Sequence, residues 1–317
     1  MQRICVIGGS RYIGILLVQR LLATGHQVTL VNRGSSAPPP GVEHLIVDRN
    51  DESALTAALG SRTFDAVIDQ FCYTPVQAAA AVRVFHGRTR RFVMTSTIEV
   101  YNPATAALPS VPYGTAVPEE NVDLGGWPVR MDLPWHDAEY RDAHYAEGKR
   151  QAEAVLTRDA GFPFASVRAA HVLGGGVRDF TGRLAHYIEH ITSGTEIAVH
   201  EEPRPSVFIH CGELADLLLW AATATGFTGP VNACSDGLLD VYDLTAAIVA
   251  QIGRQPSYRT VAPGEAASPY SFDRHYAMGN ARARELGFPV SRTTDWLPGA
   301  VAEALDGSTA AVSPVGG

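Results

Sequence analysis

Ile4-Cys5-Val6-Ile7-Gly8-Gly9-Ser10-Arg11-Tyr12-Ile13-Gly14 is the stretch that decides the architecture. Its four leading apolar residues read as a buried strand, the glycine pair as a tight turn, and the apolar spacing from Ile13 to Ala23 as a helix. After Gly25-His26, Val28-Thr29-Leu30-Val31 reads as a second strand. A glycine-rich turn between the strand and helix of such a unit lets the helix pack closely and turns its first N–H groups toward an anion. Gly8, Gly9, Ser10, Arg11, Tyr12, Ile13 and Gly14 are therefore expected to hold the pyrophosphate of a dinucleotide.

The alternation continues downstream. Leu45-Ile46-Val47, Ala66-Val67-Ile68, Arg91-Phe92-Val93-Met94 and Phe164 to Arg168 read as further strands. Ser53 to Leu59, Val76 to Phe85, and a helix from near Ala138 through Arg158 lie between them. The pattern predicts an α/β chain, a Rossmann-type doubly wound parallel sheet with a smaller C-terminal substrate-binding region. The dinucleotide-binding part is expected over 1–172 with returns near 205–235, and the smaller region over 173–204 and 236–310. In the later part, helices are expected at Arg183 to Thr192, Gly212 to Thr225 and Val241 to Ile252, with strands at Ile197-Ala198-Val199, Val207 to His210 and Val231-Asn232-Ala233. Asn102 to about Asp137 is rich in Pro and Gly and contains Trp127 and Trp135, and we expect it to cover the active site. The tail after Asp306 is expected to fray.

Composition narrows the partners. The formal net charge is -8, which disfavours nucleic acid and anionic membrane surfaces as partners. Cys5, Cys72, Cys211 and Cys234 are widely spaced and suggest neither a disulfide framework nor a metal ribbon, so a reduced, cytoplasmic setting is expected. The apolar run Leu214 to Ala224 contains Asp216 and is too short to span a bilayer.

The second strand ends at Asn32, where NAD-preferring proteins usually place a carboxylate on the adenosine ribose. Asn32, followed by Arg33 and with Arg11 on the turn, suits the 2′-phosphate of NADP instead, since guanidinium groups bind phosphate well. The cofactor expected is therefore NAD(P), with NADP slightly favoured, and Asp48 is a candidate for the adenine end. Tyr145 and Lys149 stand four residues apart on a helical pattern and share one face. An ammonium beside a phenol lowers its pKa and lets it exchange a proton with an alcohol or ketone while hydride moves to or from nicotinamide.

The glycine turn, the strand ending in Thr95-Ser96-Thr97, and the Tyr145 to Lys149 spacing together resemble the extended short-chain dehydrogenase/reductases, which include the nucleotide-sugar epimerases and dehydratases. The likeness continues through Thr97-Ile98-Glu99-Val100-Tyr101, Val167 to Gly174 and Phe208 to Ala215. It implies that Thr97 hydrogen-bonds the reacting oxygen, that Tyr145 is the acid/base, and that Lys149 is its partner and a ligand of the cofactor ribose. It also implies a homodimer formed through two helices. The chain departs from the pattern at Arg11, where glycine is common, as in a subgroup that includes chloroplast stem-loop-binding proteins. A second departure is Asn102, where glycine usually follows Val-Tyr. Glu99 resembles the glutamate with which nucleotide-sugar dehydratases remove a proton beside a transient ketone, whereas Ile98 replaces their acid and disfavours ordinary 4,6-dehydration. His171, at the end of the sixth strand, and the cations Arg178, Arg183 and Arg204 are candidates for the substrate.

The sequence thus points to an NAD(P)-dependent oxidoreductase or epimerase-type enzyme acting on a secondary alcohol or ketone of a small molecule, a nucleotide-linked sugar or a related metabolite. An NADP-dependent ketoreductase of a non-sugar metabolite and a non-catalytic RNA-binding or regulatory protein of the same fold are the alternatives. No metal is expected.

Overall fold

The computed structural model describes residues 1–224, 226–262, 265–275 and 277–312. Its strands are β1 Arg3–Ile7, β2 Gln27–Asn32, β3 Glu43–Ile46, β4 Ala66–Asp69, β5 Phe92–Thr97, β6 Phe164–Ala169, β7 His171–Leu173, β8 Ile197–Val199, β9 Ser206–His210, β10 Gly229–Ala233, β11 Leu238–Leu239 and β12 Tyr258–Thr260. The helices are α1 Ile13–Ala23, α2 Glu52–Leu59, α3 Pro75–Phe85, α4 Ala138–Ala143, α5 Tyr145–Asp159, α6 Arg183–Ser193, α7 Cys211–Thr223, α8 Val241–Ile252, α9 Ala281–Glu285 and α10 Thr293–Val312.

Seven strands form one parallel sheet in the order β10-β6-β5-β4-β1-β2-β3. Strand β4 is buried at every position, as a parallel strand covered on both faces must be. Alternate residues feed two cores: Ile4, Val6, Leu30 and Ile68 pack under α1 and α7, while Cys5, Ile7, Val67 and Met94 pack under α2, α3 and α5. Strand order reverses beside β1, between β2 and β4, so the crevice where such sheets bind ligands opens at the C-terminal ends of β1 and β4. A third core holds the smaller region together, with Tyr187 and Ile188 of α6, Phe208 of β9, Leu244 and Ile248 of α8, and Val301 of α10. There β9 pairs with β7 and β11, and β8 with β12, in two small separate sheets.

The Pro- and Gly-rich segment is anchored to the body of the protein at several points. Val117, Val122 and Leu124 enter the main core, and Trp135 is buried against Gly148 of α5. The Trp127 indole N–H donates to Glu147 at 3.1 Å, and the Arg130 N–H to Gln151 at 2.8 Å, so the segment lies along α5. Helix α10 carries the chain past Asp306, and 313–317, the end of the tail expected to fray, lie outside the described residues. Helix α7 is described to Thr223; Thr225, the last residue expected in it, is also outside them.

Candidate active site

The turn after β1 is built for backbone only. A Cβ on Gly14 would stand 2.3 Å from the Gly9 Cα, and one on Gly8 would stand 2.6 Å from the Phe71 ring. Gly8 and Gly9 also have φ of +98° and +89°, which L side chains rarely adopt. No side chain caps α1, which begins directly after Tyr12. Tyr12 itself is turned away from the turn: it is buried, and its hydroxyl donates to the Gly174 carbonyl at 2.9 Å. Ser10 is half-buried and Arg11 is exposed.

At the end of β2 the Asn32 Oδ1 accepts from the Gly34 N–H at 2.7 Å and from the His44 ring at 2.9 Å. Its Nδ2 is buried and has no partner among the described residues. Arg33 is exposed beside it. The Asp48 carboxylate accepts from Asn50, while the following Arg49 is buried and pairs with Asp69 at 2.9 Å. The glycine cradle and the orphaned amide are features that a dinucleotide would complete, so the residues present fit such a group.

The proton-handling residues come from two elements. Strand β5 ends at Thr97, whose hydroxyl accepts from the Glu99 N–H at 3.2 Å and caps the short 3-10 turn Ile98–Tyr101. Helix α5 starts at Tyr145, just after the chain bends at His144 and ends α4. The side chain of Thr97 lies near enough to the Tyr145 phenol to favour its ionised form. Burial pushes it up to about 12; Thr97 and the charge of Arg183 act the other way, and Glu99 adds to the rise. Lys149 lies one turn further along, 1 % exposed, and donates to the Thr95 carbonyl at 2.7 Å. Burial pulls its pKa down to about 8, against the opposing pull of Cys72, Asp69 and Glu153.

The expected depression of the Tyr145 pKa by Lys149 is not what this geometry delivers. The ammonium is 5.8 Å from the Tyr145 ring centroid and closer, 4.3 Å, to the ring of Tyr73. Desolvation of the phenol therefore wins. Tyr73 was not singled out from the sequence: it follows β4 with no motif around it, and only the fold brings it beneath Lys149.

Arg150 locks α5 to the end of β5. It is fully buried, donates to the Val100 carbonyl at 2.7 Å, and reaches the Glu99 and Asn102 carbonyls and the Thr105 hydroxyl. Glu99 is half-buried, and its carboxylate accepts from Asn102 Nδ2 at 2.9 Å. Asn102, in place of the usual glycine, thus orients this carboxylate.

The substrate candidates separate. His171 is 8 % exposed and stacks on Phe272 at 4.8 Å, close to Phe208 and Tyr270, and burial holds its pKa down to about 3, so it is a neutral packed ring at ordinary pH. Arg178 is exposed in a turn packed against α10. Arg204 is paired with Glu202 at 2.8 Å and lies over the Tyr113 ring. Arg183, the first residue of α6, is the cation whose charge reaches Tyr145, and its guanidinium lies 5.9 Å from the Tyr270 ring.

Residues 4–121 match the model of the NAD dependent epimerase/dehydratase family. Over 118 residues the chain is 34% identical to a 2'-dehydrokanamycin reductase of Streptomyces kanamyceticus, covering 37% of this chain and 33% of that protein. Over 83 residues it is 35% identical to the chloroplast stem-loop binding protein of 41 kDa b of Arabidopsis thaliana, covering 22% of each. The chain thus spans a third or less of the length of these two curated relatives. In fold it matches the UDP-glucose 4-epimerase of Thermus thermophilus, solved in complex with NAD, with a TM-score of 0.67 at 18% identity over 96% of this chain and 99% of that one. Among the described residues no helix is long and apolar enough to cross a membrane. Residues 4–121 are thus similar to the NAD dependent epimerase/dehydratase family, and over 96% of its length the chain shares the fold of a UDP-glucose 4-epimerase.

Proposed function

We propose that the protein is an NAD(P)-dependent enzyme that interconverts a secondary alcohol and a ketone on a sugar-like small molecule. The observation that carries this reading is Tyr145 one helical turn from buried Lys149, with Thr97 close enough to act on its phenol, at the same sheet edge as the glycine cradle. When bound, the nicotinamide supplies or accepts the hydride. Thr97 and Tyr145 together hold the substrate oxygen; Tyr145 gives it a proton as a ketone is reduced and takes one back in the reverse direction. Lys149 is the ribose ligand and keeps a positive charge under the site. Glu99, whose charge reaches Tyr145, is the base for any proton removed beside a transient ketone. A nucleotide-linked sugar is the substrate class that the structural neighbours favour, with a homodimer as the working form.

A second reading, net reduction by NADPH, is favoured by the adenosine end of the cradle. Asn32 and Arg33 present donors there and no carboxylate. Similarity over 118 residues to a dehydrokanamycin reductase supports the same direction.

Denaturing the purified protein and identifying any nicotinamide nucleotide it releases separates the two: retained NAD supports internal recycling, and an empty protein that binds NADPH supports the reductase. In either case Tyr145→Phe should abolish turnover and leave nucleotide affinity nearly intact. Turnover retained in that variant would remove Tyr145 from its assigned role.

A further inference from the structure

We infer that His44 on β3 is a positioning residue that makes the adenosine end of the cofactor site selective for NADP, an inference that rests on the nicotinamide reading above. The argument starts from Asn32. Its Oδ1 accepts from the Gly34 N–H at 2.7 Å, and a backbone N–H can only donate, so the amide cannot be turned the other way. His44 Nε2 lies 2.9 Å from the same oxygen and must therefore carry a hydrogen and donate as well. Both lone pairs of Oδ1 are then used. What Asn32 has left is its Nδ2, buried and without a partner among the described residues.

An adenosine ribose with a free 2′-hydroxyl is recognised by an acceptor, which is why a carboxylate commonly stands at this point. Here the side chain has no acceptor to offer. A 2′-phosphate needs donors, and an orphaned amide N–H₂ next to the exposed Arg33 supplies them. Among the described residues Arg33 forms no ion pair that would compete. Strand pairing puts the imidazole in place: β2 and β3 run parallel with Leu30 opposite His44 and Asn32 opposite Ile46. His44 thus meets Asn32 diagonally across the pair, two residues before Ile46. Without His44, one lone pair of Oδ1 is released, Asn32 regains an acceptor, and the distinction between the two cofactors weakens.

The test is calorimetric titration of the full chain with NADP and, separately, with NAD. The native protein should bind NADP more tightly. His44→Ala should reduce the NADP to NAD affinity ratio by up to about tenfold, the scale of one hydrogen bond regained to the neutral 2′-hydroxyl of NAD. His44→Gln, whose amide nitrogen can donate to the same oxygen, should restore most of it. Asn32→Asp, which places a spare acceptor at the ribose, should turn the preference toward NAD. Equal weakening toward both nucleotides in His44→Ala, or an unchanged ratio, would overturn the role of His44 while leaving the nicotinamide reading intact. Tighter binding of NAD by the native protein would overturn the selectivity itself. Binding of neither nucleotide would overturn the nicotinamide reading.

Discussion

Gly148 of α5 lies so close to the Tyr73 backbone that a Cβ there would stand 2.3 Å from the Tyr73 carbonyl oxygen. This contact seats α5 against the loop after β4, and through it Lys149 and Tyr145 are set against the Tyr73 ring. Gly148→Ala should therefore push the helix outward. We expect a loss of nucleotide affinity of at least tenfold and a lower melting temperature, measured by titration and by calorimetry. A variant with native affinity would show that the helix is not held at this point.

The pKa of Lys149 near 8 gives a rate prediction. The ammonium is charged below that value and neutral above it. Turnover that depends on the charge should be flat below about pH 8 and fall about tenfold per unit above it. Lys149→Met should remove most activity and the high-pH limb with it. A profile that stays flat to pH 10 would mean that the ammonium plays no part.

Acid stability should respond to His171. Its folded pKa, about 3, lies below the ordinary 6.5, so the unfolded chain takes up a proton that the folded one refuses. The contribution is fully present above 6.5 and is lost progressively as pH falls toward about 3. Denaturant midpoints should drop through that window, and His171→Leu should flatten the slope by close to one proton. A slope unchanged in the variant would assign the acid sensitivity to other groups.

Arg168 and Glu153 form a buried pair at 2.7 Å, both with 0% side-chain exposure, inside a wider polar cluster. Glu153 also accepts from Ser96, Arg168 donates to the Tyr101 hydroxyl at 2.6 Å and to the Glu119 carbonyl, and Asn232 joins the two through Tyr101 and Glu119. Arg168→Met should cost about 3–5 kcal/mol in urea unfolding, because it strands a buried carboxylate. Adding Glu153→Leu should recover a substantial part of that loss. Additive losses would show that the two charges are not coupled.

These cases also mark where the sequence is legible. The bounds of α1 and the cores of β1, β2, β4 and β6 follow from apolar periodicity, since each such residue sits where its period puts it. Helix α10 escaped notice because Pro298 and Gly299 interrupt its pattern, and proline inside a helix ordinarily reads as a stop. The site is half legible. Tyr145 and Lys149 announce themselves by local spacing, and Thr97 by its place at a strand end. Tyr73, His44 and Arg150 act across strands and loops that only tertiary packing brings together, so nothing in their neighbours in sequence marks them. Glu119 is a further case, since a carboxylate in a Pro-rich stretch reads as solvated, yet it is buried and bonds the backbone of Asn232, 113 residues away.

The hydrogen bond from Tyr12 to Gly174 bears on how the chain matures. It ties the nucleotide turn to a residue 162 positions later, and Gly175 packs so tightly on the same ring that a Cβ would stand 2.9 Å from it. The turn is written in the first fourteen residues, but its tyrosine finds its partner only much later in the chain. On a ribosome, Tyr12 has nothing to close against until the three glycines after β7 have emerged, and the outermost strand, β10, follows later still. A nascent chain of 170 residues therefore carries the glycine turn without the Gly174 contact against which its tyrosine closes.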